Sequence, residues 1–377
     1  MLETTFITKS IGFSPLLNRR VRIGDMREQC RSTWDKISQS IDEQDAEDTG
    51  ALADYSVDEV YIIFSVYHQW QEDLKTFMET KGIAKSEVSK IEEYLKALLK
   101  LPDGAPHDPQ KEFERYKDLI SELKSASEKQ WRNEAQGILQ NALGCWRILH
   151  DRGADLTHGL MSALVDRFGE QVVPEMYDFI IGPLFEWRYA KFNISQHDWG
   201  RESIPALLYV SFEAMRAHLS TKNRDGEALY FEEHSDRYVM RFDPCGSGGR
   251  SVRGDWVEDT PPRMESPYNF KIIQDAYDWT DGKKGVCIYC NHCQVMMEHK
   301  SMDSFGYPVR VVEPPTYPDR DRGENRQRCQ WTIYKDPTQV PVDIYYRCGR
   351  VKPKHFGSKD SIDQDAESSA HDFLGNG

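Results

Sequence analysis

The chain has 377 residues, 39% of them hydrophobic and 29% charged, which is enough to bury a sizeable core in two domains or one large one. Its formal charge of −14 leaves no surplus of Lys and Arg to neutralise phosphates, which argues against a nucleic-acid binder. No apolar run is long enough to span a membrane, and residues 1–6 lack the basic and apolar regions of a secretory signal, so a cytoplasmic protein without a membrane partner is expected.

Residues 1–20 carry no periodic pattern and read as a poorly determined arm. Met26, Cys30, Trp34 and Ile37 recur at helical spacing and predict a helix over 26–41. The run 42–54 holds Asp42, Glu43, Asp45, Glu47 and Asp48 and reads as a solvated loop, because like charges this dense repel. Ser56-Val57-Asp58-Glu59 then has the form of a capping box, opening a helix through Val60, Ile63, Tyr67, Trp70, Leu74 and Phe77 that Gly82 ends. A shorter helix starts at Ser86. The pattern from Phe113 to Leu149 is too long to run unbroken and predicts a kink near Ser125. Over 157–189 breaks are expected at Gly169 and Pro174, with Pro183 opening a new segment. A last helix starts at Ser203 with Pro205 in its first turn. His68, His107 and His150 read as surface or internally satisfied histidines.

The period changes to two at Arg237–Phe242 and again, most clearly, at Cys329–Tyr334, with shorter β-like pieces at 272–273, 286–289 and 309–312. Loops rich in proline, glycine and charge fill 253–267 and 314–328, and the polar tail 357–377 reads as disordered. The expected fold is α+β: a large helical domain over 1–230, a smaller β-rich, cysteine-rich metal-binding domain over 231–356, and the tail.

Candidate chemistry gathers in that second part. Cys287, Cys290 and Cys293 are spaced C-x2-C-x2-C, a spacing that lets successive sulfurs turn toward one metal or cluster. Cys245, which follows a strand directly and whose glycine neighbours allow the close approach a crowded site needs, is the favoured fourth ligand, with Cys329, Cys348, His292 and His299 as alternatives. Three cofactor readings stay open: a closed structural zinc, a [4Fe-4S] cluster, and a catalytic zinc with an open position. In the glycine run Cys245-Gly246-Ser247-Gly248-Gly249-Arg250, positive φ at Gly246, Gly248 and Gly249 would let backbone amides converge on an anion, with Arg250 supplying charge and Arg241 nearby. Cys245 beside Arg241 and Arg250 is alternatively a nucleophile. His292, inside the thiol run, and Glu298, just past it, are the candidates for moving protons from a metal-bound water.

The segment Ala163-Leu164-Val165-Asp166-Arg167-Phe168-Gly169-Glu170 in a helical body, followed by a Cys-bearing end closing on Cys329-Gln330-Trp331-Thr332-Ile333, resembles the L-2-amino-thiazoline-4-carboxylic acid hydrolase-like family over part of the chain. The resemblance implies hydrolysis of a small acid containing C–N or C–S bonds. The C-x2-C-x2-C run and the glycine loop go beyond that family's pattern, and no catalytic residue is carried over. The expected function is a metalloenzyme using a Cys-ligated metal as Lewis acid on a small, carboxylated substrate, with hydrolytic C–N or C–S cleavage. The alternative is a non-catalytic sensor or interaction protein with a structural metal. A homo-oligomer is compatible with either.

Overall fold

The computed structural model describes residues 2–101, 103–221, 223–224, 226, 229–320 and 326–356; the tail expected to be disordered lies outside them. The N-terminal arm is a three-stranded antiparallel sheet, β1 (Thr5–Phe6), β2 (Ile11–Ser14) and β3 (Arg19–Arg22). The helix expected over 26–41 is two, α1 (Met26–Cys30) and α2 (Thr33–Asp42), because Ser32 leaves the helical path to cap α2 through the Asp35 amide.

The acidic stretch is helix, not loop. It opens α3 (Ala46–Thr80), where Asp45 accepts from the Asp48 amide and Glu47 and Asp48 sit in the first turn, at the positive end of the helix dipole. Asp48 is buried and accepts the Ser10 amide at 3.0 Å, the Ser10 hydroxyl at 2.7 Å and the Thr8 hydroxyl at 2.6 Å. Those partners tie the N-terminal sheet to the helical body. Ser56 and Glu59 therefore lie mid-helix and cap nothing: Ser56 bonds the Tyr116 hydroxyl and Glu59 pairs with buried Arg216 at 2.9 Å.

The body continues with α4 (Lys85–Leu98), α5 (Pro109–Glu128), α6 (Arg132–Phe168), α7 (Val172–Tyr189) and α8 (Ile204–Ala217). The break expected near Ser125 falls at Lys129–Trp131, where Gln130 takes a positive φ of 58°. Gly169, with φ 76°, ends α6 as expected, whereas Pro183 lies inside α7.

The second part is less β-rich than expected. Its strands β4 (Leu229–Glu233) and β5 (Arg237–Phe242) form a hairpin, followed by α9 (Gly248–Arg253), α10 (Ile288–Gln294), a π-helical turn over Val295–His299, and α11 (Lys300–Phe305). β6 (Val311–Glu313), β7 (Cys329–Tyr334) and α12 (Val342–Arg347) complete the described chain. The sheet is antiparallel in the order β4-β5-β7-β6. Its register sets Phe242 opposite Cys329, so the chain leaving β5 toward Cys245 starts beside the first residue of β7. The β-like pieces 272–273 and 286–289 make isolated bridges only, Ile272 to Cys287 and Val286 to Thr316, and helix begins at Ile288.

The fold is thus mixed α+β with a dominant helical body. One apolar cluster runs from Ile11 through Trp146 to Ile333, and α6 packs directly on α10, so no gap in the packing marks residue 230. No helix among the described residues is long and apolar enough to cross a membrane.

Candidate functional site

Four cysteines from three separate segments line one apolar cavity. Cys245 comes from the loop after β5, Cys290 and Cys293 from one face of α10, and Cys329 from the start of β7. Residues three apart on a helix lie above one another, which is why Cys290 and Cys293 share a wall. The enclosed void measures about 110 Å³, and Trp70, Phe192, Met296, Met297 and Trp331 are among the residues lining it. None of the eight cysteines is in a disulfide. No three of the pocket thiols come within 4.8 Å of one another; burial raises the pKa of Cys293 and Cys329, and a hydrogen bond to Cys287 followed by burial raises that of Cys290.

Cys287 is placed differently. It is the N-cap of α10, with extended backbone, so its side chain is out of phase with the helical face that carries Cys290 and Cys293. Fully buried, it lies 3.8 Å from Nε2 of His158 and does not line the cavity. Burial alone would raise its pKa. A hydrogen bond from Cys290 and the charge of His158 overcome that and hold it well below the usual thiol range. The C-x2-C-x2-C spacing therefore brings two sulfurs to the pocket, and its third turns into the core.

The glycine run works by close approach, not by positive φ. None of Gly246, Gly248 and Gly249 has a left-handed backbone, and α9 begins directly at Gly248. A Cβ on Gly246 would sit 1.4 Å from the His218 carbonyl oxygen, and one on Gly248 would sit 2.2 Å from the Cys290 sulfur. The Gly246 amide is already bonded to Ser220 at 3.2 Å. Arg250 is fully buried away from the cavity. It belongs to a cluster in which Arg224, Arg250 and Arg263 meet Asp151, Asp155 and Asp255, with Arg263 Nε 2.9 Å from Asp155. Arg241 lies on the sheet, bonded to Gln330 and Glu232. Neither arginine lines the pocket.

Of the proton-handling candidates, His292 is at the pocket and Glu298 is not. The Tyr289 carbonyl can only accept, so the proton is on His292 Nδ1, leaving Nε2 to accept from the Cys293 thiol at 3.2 Å. Burial pushes His292 down to about 4. Glu298 is fully buried behind α10, accepting the Val312 amide at 2.8 Å and pairing with Arg347. Beside it, Asp281, His299 and Cys348 form the one group of three candidate ligand atoms within 4.8 Å among the described residues. Asp281 accepts from His299 at 2.9 Å, from Cys348 at 3.2 Å and from Gln294 at 2.6 Å. Protons and the Arg347 guanidinium already satisfy this network, which clamps α10 to α12.

Sequence reasoning missed a chain of rings behind the pocket. Asp151 lies 2.7 Å from Nδ1 of His150, whose Nε2 lies 3.0 Å from Nδ1 of His218, and His218 lines the cavity. The Tyr67 hydroxyl sits 3.3 Å from His150 and 3.2 Å from His218, and it accepts from Tyr289, also a lining residue, at 3.1 Å. Burial lowers His150 to about 4 even with Asp151 opposing it. The adjacency His150-Asp151 was the only signal in the sequence. His218, Tyr67 and Tyr289 stand on three different elements.

No protein-family model, curated protein or solved structure matches this chain.

Proposed function

We propose that the thiol-lined cavity is the working centre of a metalloenzyme, with Cys245, Cys290, Cys293 and Cys329 as ligands of an iron–sulfur cluster of the [4Fe-4S] type. The observation that carries the reading is the meeting of four unpaired cysteines, from distant parts of the chain, on a single apolar cavity. A single zinc at a zinc–sulfur distance of 2.3 Å needs its sulfurs about 3.8 Å apart. These thiols stand too far apart for that, and their spread around a void suits a larger body. A purely structural centre is closed, whereas this wall of sulfurs faces a cavity that opens to the surface.

Because four thiolates leave none of its irons open, such a centre would supply a Lewis-acidic iron to a molecule in the cavity only where one of the four sulfurs gave up its place. The chain's own groups would orient that molecule and move its protons. His218 is at the wall, held through His150 by Asp151 in the manner of an oriented base, and His292 is beside Cys293. Hydrolytic cleavage of a C–N or C–S bond in a small acid is the reaction that the resemblance to the L-2-amino-thiazoline-4-carboxylic acid hydrolase-like family suggests for it.

The test is a set of single Cys→Ser variants read by bound iron. Cys245→Ser, Cys290→Ser, Cys293→Ser and Cys329→Ser should each lose most of the iron, whereas Cys287→Ser should keep it. Iron lost from Cys287→Ser but kept in Cys329→Ser would return the site to the ligand set suggested by spacing alone and contradict this reading.

A further inference from the structure

The cavity also contains a buried cation with no carboxylate to balance it, its charge acting on the Cys293 thiol. Arg310, just before β6, is 3% exposed, and no carboxylate of a described residue lies within ion-pairing distance of it. Its Nη1 donates to the Ser211 hydroxyl at 2.8 Å and its Nη2 to the Tyr189 hydroxyl at 3.0 Å, while Nε is buried without any partner. The guanidinium carbon lies 4.5 Å over the Trp331 ring, which fixes its plane at the cavity wall.

Other buried arginines in this part of the fold have acids. Arg216 has Glu59, Arg253 has Asp243 and Asp319, and the trio Arg224, Arg250 and Arg263 has three aspartates. Arg22 also lacks one and its Nε is likewise without a partner, but two backbone carbonyls and Thr33 take its Nη groups, where Arg310 has only two hydroxyls and stands in the wall of the thiol-lined cavity. An unpaired charge in a low-dielectric site is costly, and two neutral hydroxyls compensate only part of that cost. A planar fork with free N–H groups matches a carboxylate, which can accept from two of them at once. Around it, Trp70, Phe192, Trp331, Met296 and Met297 offer a flat apolar surface and no acidic group.

We infer that Arg310 is a carboxylate-binding residue and that the cavity takes small monocarboxylates with an aromatic or similarly flat apolar body. The inference rests on the reading of this cavity as the working site and names the class of substrate it accepts. It places the anion-binding role on Arg310, in the cavity wall, and not on Arg250, which its three aspartates already neutralise.

The test compares phenylacetate with its neutral isostere phenylacetamide by titration calorimetry on the full chain as purified, with iron measured on the same sample. Phenylacetate should bind about 10-fold or more tighter than the amide, the amount expected for a hydrogen bond to a charged partner. Arg310→Met should erase that preference. Arg310→Lys, which keeps the charge and should fold even if the methionine variant does not, should retain a reduced preference. Equal binding of the two probes, no binding of either, or a preference that survives in Arg310→Met overturns the inference. If the chain holds its iron but shows no anion preference, Arg310 serves only to balance the metal–thiolate charge, and this inference fails alone. If the anion preference is present and iron is absent, the carboxylate site stands and the metal reading falls.

Discussion

Replacing Gly248 by Ala adds one methyl group at a place where the consequences can be followed atom by atom. The new Cβ would lie 2.2 Å from the Cys290 sulfur but 3.5 Å from the Cys290 Cβ, so only the thiol is in the way. An ordinary contact is about 3.7 Å, so the sulfur has to move by about 1.5 Å. Rotation of the Cys290 side chain achieves this without shifting the helix. Overpacking of this kind costs about 1–3 kcal/mol, and the gain in helix propensity from Gly to Ala offsets up to about 1 kcal/mol. The net loss of stability should be about 0–3 kcal/mol, read as the shift of the chemical denaturation midpoint. Iron content should fall much further than stability, because a ligand has been turned out of the cavity. Gly246→Ala is the contrasting variant: its Cβ would meet the His218 carbonyl oxygen at 1.4 Å, a backbone atom that no rotamer change can clear. That variant should lose more than about 4 kcal/mol or fail to fold. A Gly248→Ala protein with native stability and a full complement of iron would refute the reasoning, since Cys290 would then not be held where the ligand set requires it.

Three further outcomes are expected. Asp155→Asn removes the carboxylate shared by buried Arg250 and Arg263 and should cost about 3–5 kcal/mol in chemical denaturation; a loss below 1 kcal/mol would show that the arginines find other compensation. Tyr67→Phe deletes the hydroxyl between His150, His218 and Tyr289 and should destabilise by about 1–3 kcal/mol with iron content unchanged, so loss of iron would tie this hydroxyl to the centre itself. His107 is pushed down to about 4 by burial and then by the charge of Arg152. The unfolded chain, with an ordinary histidine near 6.5, therefore takes up this proton first, and the contribution to stability is complete above pH 6.5 and lost as pH falls toward 4. His107→Gln should flatten the fall of stability over that window by up to about 1.4 kcal/mol per pH unit, and an unchanged slope would rule His107 out as its source.

The sequence was most readable where a local pattern decides local structure. Arg237–Phe242 and Cys329–Tyr334 are strands residue for residue, because alternation and aromatic content leave little competition. Gly169 ends its helix for a reason visible in its own chemistry. The acidic run after Asp42 misled because charge density was weighed without the cap at Asp45 and the distant partners Thr8 and Ser10 that absorb it. At the site, the i, i+3 pair Cys290 and Cys293 could be read from spacing. The turn of Cys287 into the core could not, since it depends on where α10 begins. The place of Cys329 in the cavity depends on the pairing of β5 with β7, a contact between segments some 90 positions apart. Arg310, His218 and Tyr67 carry no motif at all; each is an ordinary residue until the fold sets it beside the others. The glycine loop stood out in the sequence on two grounds, of which close approach holds and positive φ does not.

The central claim, that four thiols on one cavity hold an iron–sulfur centre, is tested most directly by iron and acid-labile sulfide per chain in protein purified without oxygen. The account predicts brown protein with about four of each, as a [4Fe-4S] centre requires. Colourless protein without sulfide, or a single zinc that survives Cys329→Ser, would contradict it.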